Sequence, residues 1–436
     1  MNTSTKMAEQ TDQTETLPPT PLDAYSNARS AVTPTAEPAR IVKMDVLRGF
    51  ATLGILIMNI QSFSMISSAY FNPTAYGDLE GANYWVWYLS HLFADMKFMS
   101  IFSILFGAGI VLLSDRRTAK GLPFIRFHFR RMGWLLALGL LHAHLLWQGD
   151  ILASYALCGS IVFWFRNLSP RLLWITGLLC FSAGSVVSIL TGLSIPFWPP
   201  EDVLQMQQET WQPQTAEIKQ EVATYLQPWL KQLPLRSTEA FLMETFLFLF
   251  FIAWRCSGLM LIGMALHKQR ITTGKRSNSF YAGLVATAFC IGIPVTMYGI
   301  QQNFASDWSM SYSFFLGGQF NYWASPLLSL GYLGVIMLIC KSSHVGKMTW
   351  PLARVGQMAL SNYLLQTVLC TFLFYGHGLG RFGQFSRVEQ LISVLTISLL
   401  QVVFSCVWLH YFRFGPFEWL WRSLTYRQRQ PLRITN

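Results

Sequence analysis

Runs of roughly 20 apolar residues, each long enough to cross a bilayer as a helix, recur along almost the whole of this 436-residue chain. Such a chain cannot bury its apolar surface in one water-soluble core. In lipid each run must satisfy its own backbone hydrogen bonds, which leaves the α-helix. Charged residues make up 12% of the sequence, about half the share of a soluble domain. The expected fold class is therefore all-α: a polytopic membrane protein with about ten transmembrane helices. The spans fall at about 46–66, 95–114, 132–148, 151–166, 172–194, 241–266, 279–300, 323–340, 352–375 and 390–412.

This layout divides the chain. Residues 1–39, rich in Thr, Pro and Ser and lacking a signal-peptide core, read as a disordered cytoplasmic tail. Residues 40–194 form an N-terminal transmembrane half and 241–426 a C-terminal half. Between them, 195–240 reads as an extracytoplasmic loop with a short amphipathic helix at 215–232. Residues 427–436 are a basic cytoplasmic tail. The formal net charge of +11 sits in short loops between apolar runs, which argues against nucleic acid as a partner. With the N-terminus inside, one side of the ten-span layout holds 24 Lys and Arg and the other 5. That bias predicts a bacterial inner-membrane protein with both termini cytoplasmic. The seven cysteines lie in separate apolar runs without metal-ligand spacing, so no metal site is expected.

Charged and amide side chains at membrane depth are the candidate site residues, because each costs roughly 2.5–3.5 kcal/mol to insert unpaired. The first span carries Asp45, Arg48 and Asn59. Arg48 and Asn59 share one helix face, roughly 16 Å apart. The second run carries His91 and Asp95, an i,i+4 pair, with Lys97 on a different face. His142 and His144 lie on nearly opposite sides of the third span, whose tight exit turn presents Asp150. Asn362 and Gln366 lie four apart in the ninth span. Each has a competing structural reading. Asp45 and Arg48 serve equally as an interfacial pair that orients the first helix, and Lys97 as a neutraliser of Asp95. Asn362 and Gln366 serve as interhelical glue. Gly378, Gly380 and Gly383 match GxGxxG, but no strand precedes them, so the dinucleotide reading fails.

Five blocks in order resemble the YeiB-like bacterial membrane proteins, the family of domain of unknown function 418. They are Asp45-x-x-Arg48-Gly49-Phe50-Ala51 with Asn59-Ile60; Lys97-Phe98 with Phe102-Ser103 and Phe106-Gly107; and His142 with Gly149-Asp150 and Tyr155-Ala156. The last two are Met358 through Gln366, and Gly415-Pro416 through Arg422. Gln357 departs from the pattern, since the family often has Arg after this glycine. The first half is remotely similar to heparan-α-glucosaminide N-acetyltransferase-like and acyltransferase-3 membrane proteins. That similarity implies an acyltransferase-like helical bundle, in which a membrane-embedded His moves an acyl group from a cytoplasmic donor to an extracytoplasmic or lipid-linked acceptor. It implies no bound cofactor, but an acyl-CoA as donor substrate. In this reading His142 or His91 is the base, Asp150 or Asp95 its orienting carboxylate, and Asn59 a positioning or oxyanion donor. Asp45, Arg48, Lys97, Tyr155, Asn362 and Gln366 would contact donor or substrate. The test of this reading is whether Arg48, Asn59, His91, His142 and Asp150 line one continuous cavity; residues scattered on separate faces would remove it. The rival is a transporter or flippase, for which inward charges serve equally, although no pair of broken helices or internal repeat is legible. A non-catalytic scaffold is the third class. Besides the bilayer, the partner is a small-molecule or lipid-linked substrate; nothing gives the oligomeric state.

Overall fold

The computed structural model describes residues 41–342 and 345–434, so the expected N-terminal tail lies outside the described residues. Among these residues the only pairing of extended backbone is a single bridge, Phe412 with Arg433, which folds the basic C-terminal segment back against the end of the last long helix. The regular structure is otherwise helical. Helices of eight residues or more, in chain order, begin with α1 (Val42–Ser64), α2 (Gly81–Phe93), α3 (Lys97–Thr118), α4 (Ile125–Leu145) and α5 (Leu152–Val162). They continue with α6 (Pro170–Ser194), α7 (Thr215–Tyr225), α8 (Trp229–Leu242), α9 (Ala253–Lys268) and α10 (Asn278–Ala305). The last are α11 (Gly318–Lys341), α12 (Trp350–Gln357), α13 (Ala359–Phe374), α14 (Arg387–Tyr411) and α15 (Pro416–Tyr426).

Seven helical stretches are long and apolar enough to cross a membrane: α1, α2 with α3, α6, α8 with α9, α10, Met310–Lys341 and α14. The other three expected spans are helical too. α4 has 21 residues but carries Arg126, Arg130 and Arg131 in its first two turns. α5 and α13 are short apolar helices, each with one side exposed: Ile161 of α5 and Val368 and Phe372 of α13 are at least half exposed. The amphipathic helix expected over 215–232 is two helices, because Pro228 ends one segment and starts the next. α8 then runs through a π-helical stretch, Met243–Ile252, into α9. The sixth span therefore starts earlier than residue 241.

Two interruptions shape the interior. Between α2 and α3 the chain breaks at Ala94–Met96, with Met96 in the left-handed region at φ 61°. The span expected over 352–375 breaks at Met358, between α12 and α13. The exposed N-terminus of α13 is capped from outside: Glu418 of α15 accepts from the Leu360 amide at 2.7 Å and the Ser361 amide at 3.1 Å. α1 lies directly on α12, because a Cβ on Gly49 would collide with the Leu352 carbonyl and one on Gly356 with the Asp45 carbonyl. Close backbone approach through small residues is how helices pack where no hydrophobic force drives them together.

The basic loops gather at one end of the bundle. Lys43 donates to the Gly274 carbonyl, Lys268 to Leu168, and the Trp421 indole to the Arg131 carbonyl. The opposite end is closed by the segment 196–240. There Ser67 meets Glu221, the Gly376 amide donates to the Tyr225 carbonyl, and Arg236 donates to the Leu146 carbonyl.

Candidate functional site

α4 delivers His142 in its last turn, and the short link to α5 delivers Asp150. His142 Nδ1 lies 2.8 Å from Asp150 Oδ1, and both side chains are 1% exposed. The other Asp150 oxygen accepts from the Ala153 amide at 2.8 Å, so the carboxylate also caps the first turn of α5. Gly139 permits this arrangement. A Cβ there would overlap the Ala153 amide and press on Asp150 Oδ2. His142 Nε2 lies 2.9 Å from the Thr367 hydroxyl of α13. With the Nδ1 proton held by Asp150, Nε2 is the acceptor, and the Thr367 hydroxyl donates to it. An Asp150–His142–Thr367 relay results, buried throughout. Nothing in the sequence singles out Thr367, a threonine inside an apolar run.

One residue layer from this relay lies a cavity of about 270 Å³ that extends toward the basic end. Tyr363, whose ring centroid is 5.3 Å from that of His142, lines it, as do Ile151, Leu152 and Tyr155. Toward the basic end its wall carries Arg48, Arg131 and Arg422, with Gln357 beside them; deeper in, the wall is apolar, with Ile55, Phe102 and Leu105. Arg48 pairs with Asp45 at 2.7 Å, the Arg131 guanidinium lies 3.8 Å over the Trp421 ring, and Arg422 lies over Phe414. A cationic rim on an apolar interior suits an anionic head with an apolar arm. Arg131 and Arg422 are absent from the sequence candidates because in a basic loop they look like orientation charges.

His91, Asp95 and Lys97 are elsewhere. They gather at the α2–α3 break with Asn321 of α11, which bridges them: Lys97 Nζ donates to Asn321 Oδ1 at 2.6 Å, and Asn321 Nδ2 donates to Asp95 Oδ2 at 2.6 Å. His91 Nδ1 is 3.4 Å from Asp95 Oδ2. His91 and Asp95 line a second cavity, about 390 Å³, toward the non-basic end. Along α1, Ile55 lines the first cavity and Met58 the second. One helical turn separates them. Arg255 is fully buried nearby, donating to Ser100, Ser325 and the Tyr322 carbonyl.

The remaining candidates hold helices together or face neither cavity. Asn362 donates to the Val355 carbonyl and the Ser405 hydroxyl, and Gln366 to the Thr52 carbonyl and Gln401, joining α1, α13 and α14. Asn59 is half-buried and lines neither cavity. The five residues expected around one cavity thus divide: Arg48 lines the first, His142 and Asp150 lie one residue layer behind its Tyr363 wall, His91 lines the second, and Asn59 lines neither. Two helices are interrupted, although not at matching positions of the two halves. One break falls in each half, beside each cavity, and neither is legible from composition.

These features define the class: an all-α polytopic membrane protein with an arginine-rimmed internal cavity backed by a buried His–Asp pair. The chain is 33% identical over 394 residues to the uncharacterized protein YeiB of Escherichia coli, covering 90% of this chain and 98% of the relative. It is 30% identical over 423 residues to the uncharacterized protein YxaH of Bacillus subtilis, at 92% and 98% coverage. The model of the family described as protein of unknown function (DUF418) matches residues 265–428. The chain belongs to this YeiB-like DUF418 family.

Proposed function

We propose that this protein is a transmembrane acyltransferase that takes a phosphorylated acyl thioester of the acyl-CoA class at the arginine-rimmed cavity and uses His142 as the base. The observation that carries the reading is the Asp150–His142 contact behind a cavity whose open rim is cationic. Asn59 and His91 drop out of the machinery, and the single continuous cavity is replaced by a site at its inner end. Arg48, Arg131 and Arg422 meet the donor phosphates, while the apolar wall takes the acyl arm. In the transfer the Thr367 hydroxyl passes its proton to His142 Nε2 and takes the proton of an acceptor hydroxyl or amine in its place. The freed lone pair forms the new bond to the acyl carbon, the C–S bond breaks, and the proton returns to the leaving thiolate. Asp150 holds the imidazole in the tautomer this requires and stabilises the imidazolium in between. The chain sits in a bacterial inner membrane with the basic end, and both termini, in the cytoplasm. The acceptor, a small or lipid-linked molecule, arrives from the other side.

The two interrupted helices, each beside its own cavity and meeting within a turn of α1, favour transport as the second reading. Proteoliposomes containing the full chain and supplied with acetyl-CoA or a longer acyl-CoA separate the two. The transfer reading expects donor binding that weakens at least tenfold in R131A/R422A. It also expects acceptor-dependent release of free thiol that H142A and D150N abolish without loss of binding. Absence of donor binding in the wild type overturns it, and passage of an unmodified solute establishes the alternative.

A further inference from the structure

At the basic end, five arginines gather on one accessible patch of the bundle. Arg117, Arg126, Arg130 and Arg427 line a cleft of about 350 Å³. Arg130 and Arg427 also line an adjoining cleft of about 520 Å³, with Arg429, Trp134 and Trp419. Neither cleft has a carboxylate in its wall, and among the described residues none of the five arginines pairs with one. Arg126, Arg427 and Arg429 are exposed, so an arriving anion can reach them. No residue of either cleft lines the arginine-rimmed cavity.

Two features set this patch apart from charges that only orient the chain. An orientation charge has only to lie on the correct side of the membrane. Here Arg427, Arg117 and Arg126 set like charges against Arg130, a repulsion that a bound anion relieves. The patch is also held in shape. Arg117 donates to the Pro123 carbonyl from Nε at 3.2 Å and from Nη2 at 3.0 Å, and its guanidinium lies 4.1 Å over the Phe127 ring. Arg427 ends α15 in the left-handed region at φ 55°. Glycine occupies that region without strain, whereas a residue with a side chain does not.

The surroundings favour one source for the anion. Arg126, Arg130 and Trp134 follow at four-residue steps on α4 and so share a face. Ile125, Phe129 and Trp134 of the same helix are exposed, on a side that lipid covers. Arginines one turn from an exposed Trp at a helix end are placed at headgroup level, with the Trp at the edge of the apolar layer. A soluble phosphate would make no use of that apolar floor.

We propose that the two clefts bind the headgroup of an anionic phospholipid, with its phosphodiester between Arg130 and Arg427 and its acyl chains passing Trp134 along α4. Guanidinium N–H groups donate to the phosphate oxygens in charge-assisted hydrogen bonds. The proposal is independent of the acyl-transfer reading and holds whichever leaflet the basic end faces.

The test uses the full chain in dodecylmaltoside micelles doped with dioleoyl phosphatidylglycerol or dioleoyl phosphatidylcholine, or supplied with inorganic phosphate at the same concentration. Lipid retained per protein is read by native mass spectrometry, and stabilisation by the shift in thermal unfolding. Phosphatidylglycerol should be retained in preference to phosphatidylcholine, with no comparable stabilisation by phosphate. R126Q/R130Q should weaken that preference roughly tenfold, and R427G several-fold. R171Q/K275Q, which removes two charges from the same end but from neither cleft, should leave it unchanged. Where R126Q/R130Q fails to fold, R427G decides alone, because glycine relieves the left-handed strain. Equal retention of the two lipids, or an unchanged preference in a folded R126Q/R130Q or R427G, overturns the proposal. An equal effect of phosphate overturns it in favour of a soluble ligand, and an equal loss in R171Q/K275Q in favour of diffuse charge attraction.

Discussion

His142 shows how one residue gains a chemistry from its neighbours. Alone in an apolar helix it reads equally as packing. The tight turn to α5 brings Asp150 onto Nδ1, and α13 brings Thr367 onto Nε2. The sequence makes Asp150 visible as a charge in a turn between two spans, and Tyr155 by its family block. Arg422 closes the last family block but reads there as an orientation charge, and Thr367 and Arg131 stay hidden, because side-chain identity carries no trace of which distant helix faces it. Gly139 tests how tightly the pair is held. In G139A the added methyl has to push the first turn of α5 away from α4, costing roughly 1–3 kcal/mol. The expected outcome is a lower unfolding temperature in detergent together with weakened acyl-donor hydrolysis or transfer. An unchanged unfolding temperature would mean the two backbones are not in contact. Glu221 gives a prediction with a pH sign. Burial raises its carboxyl above the ordinary value, against the lowering from Ser67. The Ser67 hydroxyl faces Glu221 at 3.0 Å and Glu239 at 2.9 Å, but has one hydrogen to give. A carboxyl proton therefore has to be shared there. The folded state holds a proton that the unfolded chain releases near pH 4.3, so stability falls as pH rises from there through the raised folded value. E221Q cannot ionise. Between pH 5 and 8 its unfolding temperature should fall by roughly 2 °C less than that of the wild type.

At the scale of elements, periodicity and length make the long helices legible but not their interruptions. Nothing in the apolar run 84–114 requires Met96 to turn left-handed; the break follows from Lys97 reaching back to the His91 carbonyl at 2.8 Å and across to Asn321. The break at Met358 likewise depends on Glu418, 60 residues onward, which supplies the cap that a severed helix needs. Long-range partners set both, so local sequence cannot announce them. The close α1–α12 crossing is the element-scale weak point. In G356A the new Cβ would enter the Asp45 carbonyl, forcing the helices apart and drawing Arg48 away from the Gly356 carbonyl, to which it donates at 3.4 Å. The expected result is a loss of roughly 2 kcal/mol or more, visible as a lower unfolding temperature. Weaker donor binding should accompany it, because the shifted Arg48 no longer holds the cavity rim. G283A offers the contrast, since a Cβ there meets nothing within 4 Å, and it should be neutral.

The whole molecule has two unlike ends, and this polarity is the feature the sequence conveys best, because positive residues are counted rather than placed. The Lys43–Gly274, Lys268–Leu168 and Trp421–Arg131 contacts draw basic loops from both halves to one end. The segment 196–240 closes the other, carrying three basic residues between 195 and 240. An end rich in Lys and Arg stays on the cytoplasmic side during insertion, while one poor in them crosses. That orientation sets which ligand reaches which cavity. With the basic end cytoplasmic, as proposed, the arginine-rimmed cavity would meet soluble phosphorylated metabolites and the second cavity the outer half of the bilayer. The prediction is read with two reporters in a bacterial host. Green fluorescent protein fused after Asn436 should fluoresce, as it does only in the cytoplasm. Alkaline phosphatase fused after Gln227 should be active, as it is only outside. Reversal of both signals would exchange the two cavities' access. The donor would then have to come from the outer side, where no acyl-CoA is made, so the orientation experiment bears directly on the proposed reaction.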